Sequence, residues 1–106
     1  MTTLQGRPAI LLDRDGTLIE DRGLLDNAED IAFLPGVVEG LHLLQPHFGL
    51  VMITNQPWIS RGQLTWRQLT AVNAAIVSQL ANAGIGLLGW YACPHTRGEG
   101  CACIKP

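Results

Sequence analysis

Unbroken apolar runs and helical apolar stripes alternate along the chain. The runs are short and rich in Ile, Leu and Val, which is typical of strands buried in a parallel sheet. The stripes repeat every three or four residues, as on an amphipathic helix. The predicted elements are a strand over residues 9–13, a helix after Pro35-Gly36, a strand over residues 50–56, a helix between Thr65 and Gly84, and a strand over residues 85–91. This order predicts an α/β fold, with a parallel sheet and flanking helices.

The first strand ends in two carboxylates, those of Asp13 and Asp15. Residues two apart on extended backbone point to the same side, so both side chains are expected to face one site. The carboxyl end of a parallel strand is also where α/β sheets bind ligands. The alternative is an ordinary turn after a strand, where Asp and Gly are common. We expect residues 10–12 to be buried on both faces of the sheet and residues 1–8 to be a polar lead.

The second strand repeats this arrangement. It ends in Thr54-Asn55-Gln56, which would bring polar side chains to the same edge of the sheet as Asp13. Between the two strands, residues 16–35 lack a clean period and carry several acidic side chains. That composition predicts a solvated loop.

The long helix begins with a capping box formed by Thr65 and Gln68. Gly84 stands where the helix is expected to end. One face of the helix carries an apolar stripe, made of Leu69, Val72, Ala75 or Ile76, and Leu80. We interpret this stripe as core packing, without a role in function.

The tail concentrates soft metal ligands. Cys93, His95, Cys101 and Cys103 fall within one short segment, and four such ligands favour a structural zinc site in a loop over residues 93–103. The alternatives are redox-active or merely buried cysteines, or a disulfide between Cys101 and Cys103. Geometry disfavours that disulfide, because only one residue separates its partners.

Length and charge limit the class of protein. A chain of 106 residues is long enough for one small domain, residues 1–106. A formal net charge of −2 offers no basic surface, so no nucleic-acid partner is expected. No apolar run approaches the length of a membrane-spanning helix, about 18 residues. The N-terminus does not have the charged and then apolar pattern of a signal peptide. We therefore expect a cytoplasmic protein without a membrane partner.

The run Asp13-Arg14-Asp15-Gly16-Thr17 resembles the first motif of the haloacid dehalogenase (HAD) superfamily of phosphatases. The resemblance implies a Rossmann-like fold in which Asp13 is the nucleophile that forms an aspartyl-phosphate and Asp15 is the general acid/base. Both would help to hold Mg²⁺, which offsets the repulsion between a carboxylate and a phosphate. Thr54 and Lys105 match the second and third motifs, a hydroxyl that binds a phosphoryl oxygen and a lysine that neutralises the phosphorylated aspartate.

The segment from Thr54 to Gly62 resembles the branch of that superfamily that contains histidinol-phosphate and heptose-bisphosphate phosphatases. The resemblance implies that Asn55 and Arg61 contact a small phosphorylated substrate. It also implies a structural Zn²⁺ in the cysteine-rich loop. Pro57 and Trp58 replace the small residues usual in this branch, and Ile104 replaces an arginine. The substrate implied is D-glycero-D-manno-heptose 1,7-bisphosphate, hydrolysed at its 7-phosphate. Histidinol phosphate is the alternative substrate.

The fourth motif of the superfamily, an aspartate that completes the magnesium site, has no counterpart in the sequence. The resemblance therefore implies a partial domain that lacks the C-terminal part of the fold and binds Mg²⁺ weakly. The first strand would keep an exposed apolar edge, which predicts self-association through that edge; the alternative is that the chain is a truncated product. A third reading follows, in which the chain is a catalytically incomplete, zinc-stabilised fragment that acts as a binding module.

Overall fold

The computed structural model of the chain describes residues 3–4 and 7–94. These described residues contain four strands and three α-helices, with a short 3-10 helix at Ala28–Asp30. The strands are β1 (Thr3–Leu4), β2 (Arg7–Asp13), β3 (Gly49–Asn55) and β4 (Leu87–Cys93); the α-helices are α1 (Val37–Leu44), α2 (Pro57–Ser60) and α3 (Trp66–Asn82).

The strands form one sheet in the order β1-β2-β3-β4. Strands β2, β3 and β4 are parallel, and β1 pairs antiparallel with the start of β2. The predicted α/β fold with a parallel sheet and flanking helices is therefore confirmed. The prediction that residues 1–8 form a polar lead is wrong, because Thr3 pairs with Pro8 and Leu4 pairs with Arg7.

Helices α1 and α3 pack on the same face of the sheet. Leu50 and Met52 of β3 share one buried cluster with Leu41 of α1 and with Ile76 of α3. Three parallel strands in consecutive order produce this arrangement, because crossovers of the same hand place both helices on one side. That face is the core of the described part of the chain.

The opposite face of the sheet is open over part of its area. Leu11 is 55% exposed and Tyr91 is 71% exposed. The prediction that residues 10–12 are buried on both faces is therefore wrong for Leu11, because both long helices lie on the other side. A groove of about 340 Å³ runs along this open face, lined by Leu11, Ile53, Thr54, Asn55, Tyr91, Ala92 and Cys93.

The segment between β2 and α1 is only partly a solvated loop. Its acidic side chains Asp21, Asp26 and Glu29 are exposed, as predicted. Leu18, Ile19 and Leu25, however, are buried in the core. The prediction failed there because a segment without regular period can still fold its apolar residues inward. Ile19 forms isolated bridges with Asp15 and Phe33, which bring the segment back to the end of β2.

Helix α3 begins and ends as the sequence predicts. The Thr65 side chain accepts from the Gln68 backbone N–H, and the Gln68 side chain accepts from the Thr65 N–H. Gly84 follows the helix with φ +85°, a backbone conformation that glycine adopts without strain. Helix α2 is one turn that the sequence analysis missed; it starts at Pro57, whose ring suits a first helical position. Among the described residues, no helix is both long and apolar enough to cross a membrane.

Candidate active site

The carboxyl ends of β2 and β3 bring Asp13, Asp15 and Thr54 to one end of the sheet. Asp13 lies beside Ile53 in the register of the two strands, and the Arg14 N–H donates to the Ile53 carbonyl at 2.9 Å. The chain then turns so that the Thr54 hydroxyl donates to Asp15 Oδ2 at 3.0 Å. Two strands that are distant in sequence thus place the second carboxylate and the predicted phosphate-binding hydroxyl in direct contact.

Arg14 lies between the two aspartates in the sequence, and its side chain is completely buried. Its Nε and Nη2 donate to Asp15 Oδ2 and Oδ1 at 3.0 and 2.9 Å, the bidentate geometry of an arginine–carboxylate pair. Its Nη1 donates to Asn73 Oδ1 of α3 at 3.0 Å. Since a guanidinium has donors only, Asn73 must present its oxygen to Arg14. Arg14 thereby connects the turn after β2 to α3.

Gln56 is a third buried polar residue that contacts Asp15, after Arg14 and Thr54. Its Nε2 donates to Asp15 Oδ2 at 3.1 Å and to Thr54 Oγ1 at 2.8 Å. Among the buried side-chain atoms of the described residues, Gln56 Oε1 and Asn73 Nδ2 have no hydrogen-bond partner. An unsatisfied buried group destabilises the fold, so both residues carry a cost alongside their contacts.

The two oxygens of Asp15 differ in how firmly they are held. Oδ2 accepts from Arg14, Thr54 and Gln56, whereas Oδ1 accepts from Arg14 alone among the described residues. The side chain is 17% exposed. Oδ2 therefore anchors the carboxylate, and Oδ1 is the oxygen with capacity for a further partner.

Asp13 has an exposed side chain at the end of β2, where a ligand can reach it. A carboxylate of this kind, together with the Asp15 backbone carbonyl, offers the hard oxygen donors that Mg²⁺ prefers. The Asp15 carboxylate itself is paired with Arg14. In the described part of the chain, no three His, Cys, Asp or Glu side chains are grouped so that they could hold a metal ion. The donors thus fit Mg²⁺ in kind, and the rest of its octahedral shell would come from elsewhere.

The predicted substrate-binding residues lie on β3 and after α2. Asn55 is half-buried and lines the groove on the open face of the sheet. Arg61 is exposed, and its guanidinium carbon lies 5.4 Å from the centre of the Trp58 ring, within cation–π range. The Trp58 ring also lies close to Gly23, in the segment between β2 and α1, since a Cβ added at Gly23 would be 3.8 Å from the ring. Contact of Asn55 and Arg61 with substrate stays a prediction.

The cysteine-rich loop is described only at its start. Cys93 is buried at the end of β4 and is disulfide-bonded in the structure. His95, Cys101, Cys103 and Lys105 lie outside the described residues. Zinc binding by this loop and the role of Lys105 therefore stay predictions.

The sequence analysis missed three residues of the site, namely Arg14, Gln56 and Asn73. Arg14 was inside the quoted motif and Gln56 inside the quoted strand end, but neither was given a role. Asn73 lies on the buried face of α3, among apolar residues. A polar residue within an apolar stripe was the signal that could have identified it.

No protein-family model matches the sequence. Among curated proteins, the chain is similar to D-glycero-beta-D-manno-heptose-1,7-bisphosphate 7-phosphatases. It is 37% identical over 110 residues to that of Yersinia pestis, a match of 96% of this chain and 58% of the relative. It is 36% identical over 107 residues to that of Escherichia coli K12, with 93% of this chain and 56% of the relative covered. The chain thus spans less than two thirds of the length of these relatives.

Two solved structures have a similar fold. One is the D,D-heptose 1,7-bisphosphate phosphatase from B. bronchiseptica, complexed with magnesium and phosphate. Its TM-score is 0.83 at 31% identity, covering 92% of this chain and 56% of that one. The other is a protein from Mesorhizobium loti described as a HAD-like phosphatase. Its TM-score is 0.80 at 27% identity, covering 94% of this chain and 48% of that one.

Proposed function

We propose that the site of this chain hydrolyses a phosphate monoester. The similarity of the chain to HAD-like heptose-bisphosphate phosphatases supports the proposal. The observation that carries the proposal is the arrangement of the exposed Asp13 beside the Asp15–Thr54 pair at the carboxyl ends of adjacent parallel strands. It brings together two carboxylates that would serve as nucleophile and as proton-transfer group in covalent phosphoryl transfer, next to the hydroxyl predicted to bind a phosphoryl oxygen.

The reaction follows in two steps from these groups. In the first, an Asp13 oxygen attacks phosphorus, the bond from phosphorus to the substrate oxygen breaks, and Asp15 gives that oxygen a proton. In the second, Asp15 takes a proton from water, the water oxygen attacks phosphorus, and the bond to Asp13 breaks to release inorganic phosphate. Mg²⁺ held by Asp13 and the Asp15 carbonyl would supply positive charge that lowers the repulsion between carboxylate and phosphate.

The substrate proposed is D-glycero-D-manno-heptose 1,7-bisphosphate, cleaved at the 7-phosphate. The names of the relatives support it. The cation–π contact with Trp58 holds the guanidinium of Arg61, the group that would bind a second phosphate or a hydroxyl of the substrate. In this proposal Asn55 and Arg61 bind the substrate, and Lys105 neutralises the phosphorylated Asp13.

A phosphate-release assay on the 106-residue chain tests this function. The expected result is Mg²⁺-dependent release from the heptose bisphosphate that Asp13→Asn abolishes, with slower release from histidinol phosphate. Faster release from histidinol phosphate would instead support that alternative substrate. Failure of the folded chain to turn over either compound would refute the proposal and favour a binding module.

We also propose a structural Zn²⁺ bound by Cys93, His95, Cys101 and Cys103. Three thiolates and one imidazole are a ligand set typical of closed zinc sites. A disulfide at Cys93 and a zinc thiolate are alternative states of the same sulfur, so the reducing conditions of the experiment decide between them. Metal analysis of protein purified under reductant is expected to find one zinc per chain; its absence, with three titratable thiols, would contradict the site.

Self-association through β2 is proposed as well. Beyond Pro8, the outer edge of β2 has no strand neighbour among the described residues, and Leu11 is exposed beside it. An unpaired edge of this kind is a template for another strand. Light scattering is expected to show a dimer or larger species that dissociates in Leu11→Lys; a clean monomer at high concentration would refute it.

A cytoplasmic location stays a prediction.

A further inference from the structure

Arg14 is a completely buried cation next to the reacting carboxylate. Charged side chains are almost never fully buried unless they are paired. Two of its nitrogens bind the two oxygens of Asp15. The third, Nη1, binds Asn73 Oδ1 at 3.0 Å, a contact between residues 59 positions apart. The guanidinium is thereby held from both sides.

Asn73 occupies a position where an apolar residue would be expected. It is completely buried on α3, on the same face as Val72 and Ile76. Its Nδ2 has no partner, and among the described residues its side chain makes one hydrogen bond, to Arg14. Asparagine is also a poorer helix former than leucine or alanine. The fold therefore tolerates a costly residue at position 73, and its contact with Arg14 is the compensation visible in the structure.

We propose that Arg14 and Asn73 are positioning residues, which together form a buried clamp that fixes the carboxylate of Asp15 from the side of α3. This inference rests on the proposed function, in which Asp15 is the general acid/base. The clamp binds both oxygens of Asp15. Because Thr54 and Gln56 add two further donors at Oδ2, Oδ1 is the less crowded oxygen and the one that exchanges a proton with the leaving group.

The clamp matters because proton transfer requires close alignment. Catalytic groups must be held within about 0.5 Å of the productive position by neighbours that are themselves fixed. Without the Asn73 oxygen, Nη1 loses its buried acceptor and the guanidinium is no longer tied to the helix. The Asp15 side chain would then sample other rotamers, while the exposed Asp13 and the contacts of Arg61 would remain.

Kinetics of matched variants test this role. Asn73→Ala is expected to lower kcat about 10-fold with KM changed less than about 2-fold, since it disturbs alignment and leaves substrate binding intact. Asn73→Asp keeps an oxygen acceptor and is expected to stay within about 3-fold of the wild-type kcat. Ile76→Val perturbs the same buried face without touching Arg14 and is expected to leave both constants unchanged. Equal effects of Asn73→Ala and Ile76→Val on kcat would overturn the proposal.

A second measurement does not depend on activity. In ¹⁵N-labelled protein, the Arg14 Nε–H signal, assigned by its loss in Arg14→Lys, is expected to exchange with water far more slowly than those of exposed arginines. Asn73→Ala is expected to speed that exchange at least about 10-fold, and Ile76→Val is not. Fast exchange in the wild type, or no change in Asn73→Ala, would overturn the clamp. A chain without turnover but with a protected signal would refute the proposed function and leave the clamp standing.

Discussion

Replacing Thr54 by valine removes a hydroxyl from the centre of the hydrogen-bond network and preserves the shape of the side chain. That hydroxyl is buried, donates to Asp15 Oδ2 at 3.0 Å and accepts from Gln56 Nε2 at 2.8 Å. A hydrogen bond to a charged group contributes about 2 kcal/mol, and a neutral one about 1 kcal/mol. The valine variant is therefore expected to lose about 3 kcal/mol of unfolding free energy, because Gln56 keeps a buried N–H without an acceptor.

Urea denaturation measures this loss. With an m-value of about 1.5 kcal/mol/M, a loss of about 3 kcal/mol lowers the midpoint by roughly 2 M. Thr54→Ser is the matched control, since it keeps the hydroxyl and removes only a methyl group, at a cost of about 1 kcal/mol.

A double-mutant cycle makes the test stricter. Gln56→Leu removes the other partner together with its unsatisfied Oε1. Replacing both partners of a buried hydrogen bond costs less than the sum of the single changes, so Thr54→Val and Gln56→Leu are expected to couple by at least about 1 kcal/mol. Additive losses, or a valine variant no less stable than the serine variant, would refute the network as described.

Three further predictions concern a turn, a ring and a metal. Gly84→Ala is expected to lower the unfolding free energy by about 1–2 kcal/mol, because φ is +85° and the new Cβ would lie 3.1 Å from His42 Cε1. Gly40→Ala, which lies inside α1 with open space around it, should instead raise the unfolding free energy by about 0.5–1 kcal/mol. Equal effects of the two variants in thermal melts would contradict this prediction. Trp58→Ala is expected to raise KM about 2- to 5-fold through loss of the cation–π contact with Arg61, whereas Trp58→Phe retains a ring and should raise it less. Chelation by EDTA is expected to abolish turnover and added Mg²⁺ to restore it; activity that persists in EDTA would exclude the proposed role of the metal.

The alternation of apolar runs and stripes was sufficient to predict the parallel sheet and the ends of α3. Local signals determine such features, as the capping box at Thr65 and the positive φ of Gly84 illustrate. The start of β4 was less accurate: the predicted strand began at Ile85, which is buried but precedes the observed first residue Leu87. Burial without strand pairing leaves the same apolar pattern in the sequence.

Exposure of Leu11 could not be predicted from its own segment. A run of apolar residues indicates that both faces of a strand are suited to burial. Whether each face is covered depends on where the crossover helices pack, which is a property of the whole topology. Here α1 and α3 cover one face, and Leu11 and Tyr91 stay exposed on the other. The same limit explains Leu18 and Ile19, whose burial depends on a segment folding back over the core.

Arg14 and Asn73 show why part of the site was also beyond a reading of separate motifs. Each has an ordinary interpretation alone: an arginine beside two aspartates in a turn, and an asparagine within a helix. Each also breaks a rule, because Arg14 follows an apolar strand into the core and Asn73 lies within an apolar stripe. Two such exceptions are candidates to compensate each other, since a buried charge needs an acceptor and a buried amide needs a donor. The sequence therefore identifies both exceptions, but only the folded chain, in which Arg14 donates to Asn73, identifies them as partners.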